Sequence, residues 1–296
     1  MGLVIPSFFL YNNIGDFMEY SPKKMQDKLE QNNFKLKKKF GQNFIVDENI
    51  INNIVDKSRI DKDTLVIEIG PGAGSLTYKL ALSANQVLCY EIDTTLKDVL
   101  ESNLSSIHNV DIIYKDFLEA DVLKDLKQYH YEKLYVIANL PYYITTPIIM
   151  KIISDKIPVD KIVVMVQKEV GDRFKAKPGS KDYNSLTVFL NCYFEISKLM
   201  DVSRNVFLPK PNVDSIIVEF KKKEKEICVK DKDLFFKLVR DSFVQKRKNL
   251  RNNLKNYPLE KVERVLSRHQ MDLNVRAEAL SLELFIEIAN ELGELS

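Results

Sequence analysis

Leu65-Val66-Ile67-Glu68-Ile69, followed by Gly70-Pro71-Gly72-Ala73-Gly74, constrains this chain more than any other stretch. A near-continuous apolar run of this length reads as a strand buried on both faces, and such a strand needs helices packed above and below it. Glycines between that strand and the helix expected from Ser75 let backbone approach a ligand closely. The dinucleotide fingerprint would need a third glycine where Ser75 stands, so a nicotinamide dehydrogenase is disfavoured.

Three more strands follow the same plan. Gln86 to Tyr90 runs into Glu91-Ile92-Asp93, and Val110 to Tyr114 runs into Lys115-Asp116-Phe117. Leu134 to Ala138 runs into Asn139-Leu140-Pro141-Tyr142. All four tips fall on the carboxyl edge of one sheet, where open α/β folds bind ligands. An acid at the tip of the second strand suits ribose hydroxyls, which points to Glu91 with Ile92 beside it. Asp116 suits an adenine amino group and Phe117 the face of its ring. The fourth tip carries what attack by an aromatic amine requires. The N6 lone pair of adenine is delocalised into the ring; acceptors on both N–H groups favour the pyramidal form, in which the pair is free. The Asn139 side-chain carbonyl and a nearby backbone carbonyl can supply them. Pro141 donates no N–H, and Tyr142 offers a flat face for stacking. Together the tips read as an S-adenosylmethionine site beside an adenine site.

From about Lys37 to the C-terminus the chain resembles the ribosomal RNA adenine N6,N6-dimethyltransferases of the KsgA type. The motifs are Phe40-Gly41-Gln42-Asn43-Phe44, Glu68 to Gly74, and Asn139-Leu140-Pro141-Tyr142. Further on stand Val166-Gln167-Lys168-Glu169-Val170, Lys177 to Tyr183, Phe207 to Ser215, and Lys246 to Leu254. The first three are shared with resistance methyltransferases of the large subunit; the later ones are more specific to the small-subunit enzymes. The resemblance implies a doubly wound, Rossmann-like α/β domain with a mostly parallel seven-stranded sheet, and a small all-helical C-terminal domain. It implies cofactor contacts at Asn43, Ile45, Gly70, Gly72, Glu91, Ile92, Asp116, Phe117 and Asn139. Ile45 stands where the family usually has Leu. Catalysis would fall to Asn139, Leu140, Pro141 and Tyr142, with Phe207 sandwiching the target adenine opposite Tyr142. The implied substrate is a pair of adjacent adenosines in the terminal hairpin of small-subunit ribosomal RNA.

Charge fits that reading through its distribution. The net formal charge is only +2, but Lys246, Arg247, Lys248, Arg251 and Lys255 occur with no acid among them. Lys35, Lys37, Lys38 and Lys39 precede the Asn43 segment, and Lys221 to Lys223 form a third cluster. Beside an adenine-type site such clusters read as phosphate contacts. Cys89, Cys192 and Cys228 show neither a disulfide framework nor metal-ligand spacing, so a reducing, cytoplasmic setting and no metal are expected. Leu3 to Leu10 is apolar but too short to span a bilayer.

The expected organisation is a partly disordered extension over 1–34, a methyltransferase domain over 35–221, and a helical RNA-binding domain over 222–296, acting as a monomer on pre-mature small subunits. Glu195 to Asp201 and Val213 to Phe220 are expected to pair antiparallel at one end of the sheet. Two alternatives stay open: a large-subunit RNA methyltransferase, and a non-catalytic ribosome-assembly or RNA-binding factor.

Overall fold

The structure is a computed structural model that describes residues 43–141, 143–225 and 229–294. A two-residue strand, β1 (Phe44–Ile45), leads into helix α1 (Glu48–Ser58). Asp47 starts α1 by accepting the Asn49 amide at 2.9 Å, which satisfies a donor with no partner inside the helix.

Strands β2 (Thr64–Ile69), β3 (Gln86–Tyr90), β4 (Val110–Ile113), β5 (Lys133–Asn139) and β6 (Lys161–Gln167) are parallel. Helices α2 (Ser75–Ser83), α3 (Lys97–Asn103), α4 (Val122–Leu126) and α5 (Thr145–Ser154) connect them. After β6 come α6 (Lys168–Phe174), α7 (Ser185–Tyr193), β7 (Phe194–Val202), β8 (Phe207–Leu208) and β9 (Ser215–Lys222). The last strand inserts between β6 and β7 and is antiparallel to both, giving the order β4-β3-β2-β5-β6-β9-β7. The chain winds outward from β2 to β4, then returns to place β5 on the other side of β2. That reversal opens a crevice at the carboxyl ends of β2 and β5, the place where such sheets take ligands.

All six residues of β2 are buried. Leu65, Ile67 and Ile69 pack on one face with Ile148, Ile149 and Ile152 of α5. Val66 packs on the other with Ile51 and Ile54 of α1 and Leu76 and Leu80 of α2. Each such side chain contributes about 1.5–3 kcal/mol of burial, so the two faces hold the sheet and fix where its tips emerge. Gly171 lets α6 lie close on β9: a Cβ there would meet Ile216 Cδ1 at 2.3 Å.

Beyond β9 lie α8 (Lys232–Ser242), α9 (Leu250–Asn253), α10 (Leu259–Arg268) and α11 (Leu282–Leu292). Their apolar faces close a separate core of Phe235, Leu238, Val265, Leu266 and Phe285. Tyr183, Val188 and Cys192 belong to the same cluster, so α7 joins the helical lobe as well as the sheet. A cut at 221/222 falls one residue inside β9 and divides this side-chain core. Among the described residues no helix is long and apolar enough to cross a membrane. The 1–34 extension lies outside them.

Candidate active site

Glycine conformation builds the first wall of the site. Gly70, Gly72 and Gly74 all have positive φ, at 71°, 62° and 85°, a region that L side chains enter at a cost. The Gly70 amide continues the sheet by donating to the Tyr90 carbonyl at 2.9 Å. A Cβ on Gly70 would meet nothing within 4 Å, and Gly70 lines the cavity, so bare backbone faces the open space.

Glu91 forms the next wall. It is 4% exposed; one carboxylate oxygen accepts the Gly72 amide at 3.1 Å and the other the Asp93 amide at 2.8 Å. Burial raises its pKa, and those two amides work against the rise by favouring the anion. Below it, Glu68 is fully enclosed on β2, and burial pushes its carboxyl up to about 8. Cys89 donates its thiol to Glu68 at 3.7 Å, the outer range for a sulfur donor, and burial raises the thiol pKa too. The cavity therefore has one acid anchored as an acceptor and, beneath it, one held protonated at neutral pH.

Asp116 spends one oxygen capping a short turn through the Leu118 amide, at 2.8 Å. Phe117 is 3% exposed and meets Tyr90 edge to face, 5.3 Å between centroids. At the end of β5, Asn139 donates its side-chain amide to the Asn43 carbonyl at 2.9 Å. That contact settles which end of the Asn139 amide is nitrogen and leaves its oxygen as the end turned from Asn43. The Pro141 carbonyl accepts the Ile144 amide at 3.1 Å, which turns the loop into α5.

Asn43 comes to Asn139 through a feature the sequence did not suggest. β1 and β8 form a two-stranded sheet, Phe44 opposite Leu208 and Ile45 opposite Phe207, and the Val46 amide donates to the Val206 carbonyl at 2.9 Å. The expected cofactor residues Asn43, Ile45, Gly70, Gly72, Glu91, Ile92, Asp116, Phe117 and Asn139 all line one cavity, with Leu140 and Pro141. Sequence reasoning passed over Glu68, Lys115 and Tyr143, which line it too; Tyr143 is 66% exposed. Glu68 was legible as a polar residue inside an apolar strand. Phe207 is 4% exposed, packed with Ile45, Ile51 and Ile217, and is not among the cavity-lining residues. Tyr142, Lys37, Lys38 and Lys39 lie outside the described residues.

The donor set fits a nucleoside cofactor: bare glycine backbone, an anchored acid at the second strand tip, and an acid with an aromatic at the third.

In the helical lobe, Lys246, Arg247 and Lys248 occupy an exposed turn between α8 and α9. Asn253 clamps it, donating to the Ser242 carbonyl at 2.7 Å and accepting the Gln245 amide at 3.3 Å. Asn249 caps α9 through the Asn252 amide at 3.2 Å. Arg251, also exposed, sits 3.7 Å from Glu263, a surface pairing of little energetic weight.

Residues 33–294 match the model of the ribosomal RNA adenine dimethylase family. Proteins named ribosomal RNA small subunit methyltransferase A, from Bacillus mycoides and Bacillus anthracis, are 44% identical over 281 residues. These alignments cover 92% of this chain and 96% of each relative. Among solved structures, a dimethyladenosine transferase from Plasmodium falciparum superposes with a TM-score of 0.70 at 26% identity, covering 82% of this chain and 94% of that one. The 23S rRNA methyltransferase ErmE superposes at 0.67, also at 26% identity, covering 85% and 100%. With the cavity described above, these matches place the chain in the ribosomal RNA adenine dimethylase family, as a methyltransferase that acts on ribosomal RNA.

Proposed function

We propose that this protein transfers methyl groups from S-adenosylmethionine to N6 of two adjacent adenosines in the 3′-terminal hairpin of small-subunit ribosomal RNA, dimethylating each. The observation that carries the proposal is the bond from the Asn139 amide to the Asn43 carbonyl, made on the cavity that also holds Gly70, Glu91 and Asp116. The 44% identity to small-subunit methyltransferases supports the small rather than the large subunit as target.

The cofactor supplies an electrophilic methyl on a sulfonium. Glu91 accepts from the ribose hydroxyls, Asp116 from the adenine amino group through the oxygen not used in its cap, and Phe117 and Ile92 flank the ring. The target adenine leaves its stack to reach the methyl. The Asn139 side-chain oxygen accepts one N6–H. Because the Pro141 oxygen is bonded within the turn, the Leu140 carbonyl is the second acceptor. With both protons held, the N6 lone pair is freed and aimed. Tyr142 stacks on the base, and Phe207 supports the pocket from below, through Ile45. Catalysis is chiefly positioning. No strong base is needed, because the N6 proton becomes acidic only after the new bond forms. The first methyl replaces one N6–H, so the pocket also admits monomethyladenine. Lys246, Arg247, Lys248 and Arg251 bind phosphates of the subunit RNA.

Transfer of labelled methyl from S-adenosylmethionine to small subunits, large subunits and naked RNA, followed by nucleoside analysis, tests this. Dimethyladenosine in small-subunit RNA is expected. Product in large subunits alone, or none anywhere, would sink the proposal.

A further inference from the structure

The loop Lys177 to Tyr183 belongs to the sheet-bearing part of the sequence, yet it is fastened to the helical lobe. Lys246 donates its ammonium to the Lys181 carbonyl at 2.5 Å, and the Gly179 amide donates to the Glu278 carbonyl at 2.6 Å. Tyr183 anchors the loop's end, 2% exposed and 6.1 Å from the Phe243 ring. Within the loop, the Ser180 amide donates to the Lys177 carbonyl at 3.0 Å, so Lys177 and Lys181 stand on one turn.

Two segments, 65 positions apart at the joining bond, thus bring five cations together: Lys177, Lys181, Lys246, Arg247 and Lys248. All five are exposed, and none has an ion-pair partner among the described residues. Asp182 is the one acid within either run. Five exposed cations held close beside a single acid repel one another, a cost that a polyanion relieves. Val244 on the same turn is 70% exposed.

We propose that the Lys177–Tyr183 loop is a second RNA-contacting element. In this reading Lys177 and Lys181 continue the phosphate track begun by Arg247 and Lys248, and Lys246 is the strut that joins the two. It rests on the reading that this surface holds subunit RNA. One backbone lying across both elements is held by sheet-bearing part and helical lobe at once, which fixes the reach from the anchoring phosphates to the crevice holding Asn139. Lys246 acts partly as a positioning residue, because one of its donors is committed to the loop.

Binding to purified small subunits across a salt series tests this. Four proteins are compared: wild type, Lys177→Ala/Lys181→Ala, Arg247→Ala/Lys248→Ala and Lys177→Arg/Lys181→Arg. The loop pair of alanines should weaken binding and flatten the slope of log K against log salt by about 1.4–1.8, or 0.7–0.9 for each lost phosphate. The arginine pair should restore the wild-type slope, and thermal midpoints should stay together, since neither lysine is buried. An unchanged slope in Lys177→Ala/Lys181→Ala, with a flattened one in Arg247→Ala/Lys248→Ala, overturns this inference and leaves the RNA surface standing. Unchanged slopes in both remove that surface as well. In a Lys246→Met background the loop substitutions should cost less than in wild type; equal costs would remove the strut.

Discussion

The side-chain amide of Asn139 donates to the backbone carbonyl of Asn43 at 2.9 Å, across 96 positions of sequence. Asn43 precedes β1, which is held by β8, so the orientation of one reacting-site amide depends on a two-strand clasp outside the main sheet. Asn139→Ala removes the N6 acceptor. Single-turnover methylation with both substrates saturating should fall by at least about 100-fold, while subunit binding changes little. Asn139→Asp keeps the shape but loses the donor to Asn43, and should fall similarly. Wild-type rates in either variant would reduce Asn139 to a turn residue.

Glu91 holds two backbone amides and faces the cavity. Glu91→Ala should weaken S-adenosylmethionine about ten-fold or more by calorimetry, a loss of about 1–3 kcal/mol for desolvated hydroxyls left poorly paired. Unaltered affinity would place the ribose elsewhere.

Glu68 gives a pH signature. Its carboxyl moves from an ordinary 4.5 when unfolded to about 8 when folded. Between those values the folded protein holds a proton the unfolded chain has lost. Its contribution to stability is therefore complete below pH 4.5 and declines as pH rises towards 8, by up to about 1.4 kcal/mol per unit. Glu68→Gln cannot titrate. Its stability relative to wild type, followed by denaturant unfolding, should rise through that window and then level. A difference independent of pH would mean that Glu68 is folded as an anion.

Neutralising Lys246, Arg247, Lys248 and Arg251 together should weaken small-subunit binding and flatten its salt dependence, by up to about 0.7–0.9 slope units per contact. S-adenosylmethionine affinity should be unchanged, because none of the four lines the cavity. A wild-type salt slope would mark the turn as an ordinary solvated face.

Strands buried on both faces are written as apolar runs, so β2, β3 and β5 and the residues at their tips were legible from sequence alone, and the shorter, half-buried β4 with Asp116 beyond it was legible beside them. That is why Gly70, Glu91, Asp116 and Asn139 could be named before any coordinates, and why they share one cavity. The basic turn was legible as charge.

Tertiary structure alone decided the rest. A strand of two residues has no period to read, so the pairing of Phe44 with Leu208 and Ile45 with Phe207 left no trace in the pattern. With it went the burial of Phe207 and the direction of the Asn139 amide. Glu68 showed as one acid in an apolar strand, but its raised pKa follows from complete burial and from the nearby charge of Glu91 beyond β3, against the hydrogen bond from Cys89, which favours the anion. Lys246 and Lys181 likewise looked like unrelated surface lysines until the packing of α7 on the helical lobe set one ammonium against the other's carbonyl. Local pattern specifies elements and their ends; contacts between distant segments set the direction of an amide, the charge of an acid and the partner of a lysine.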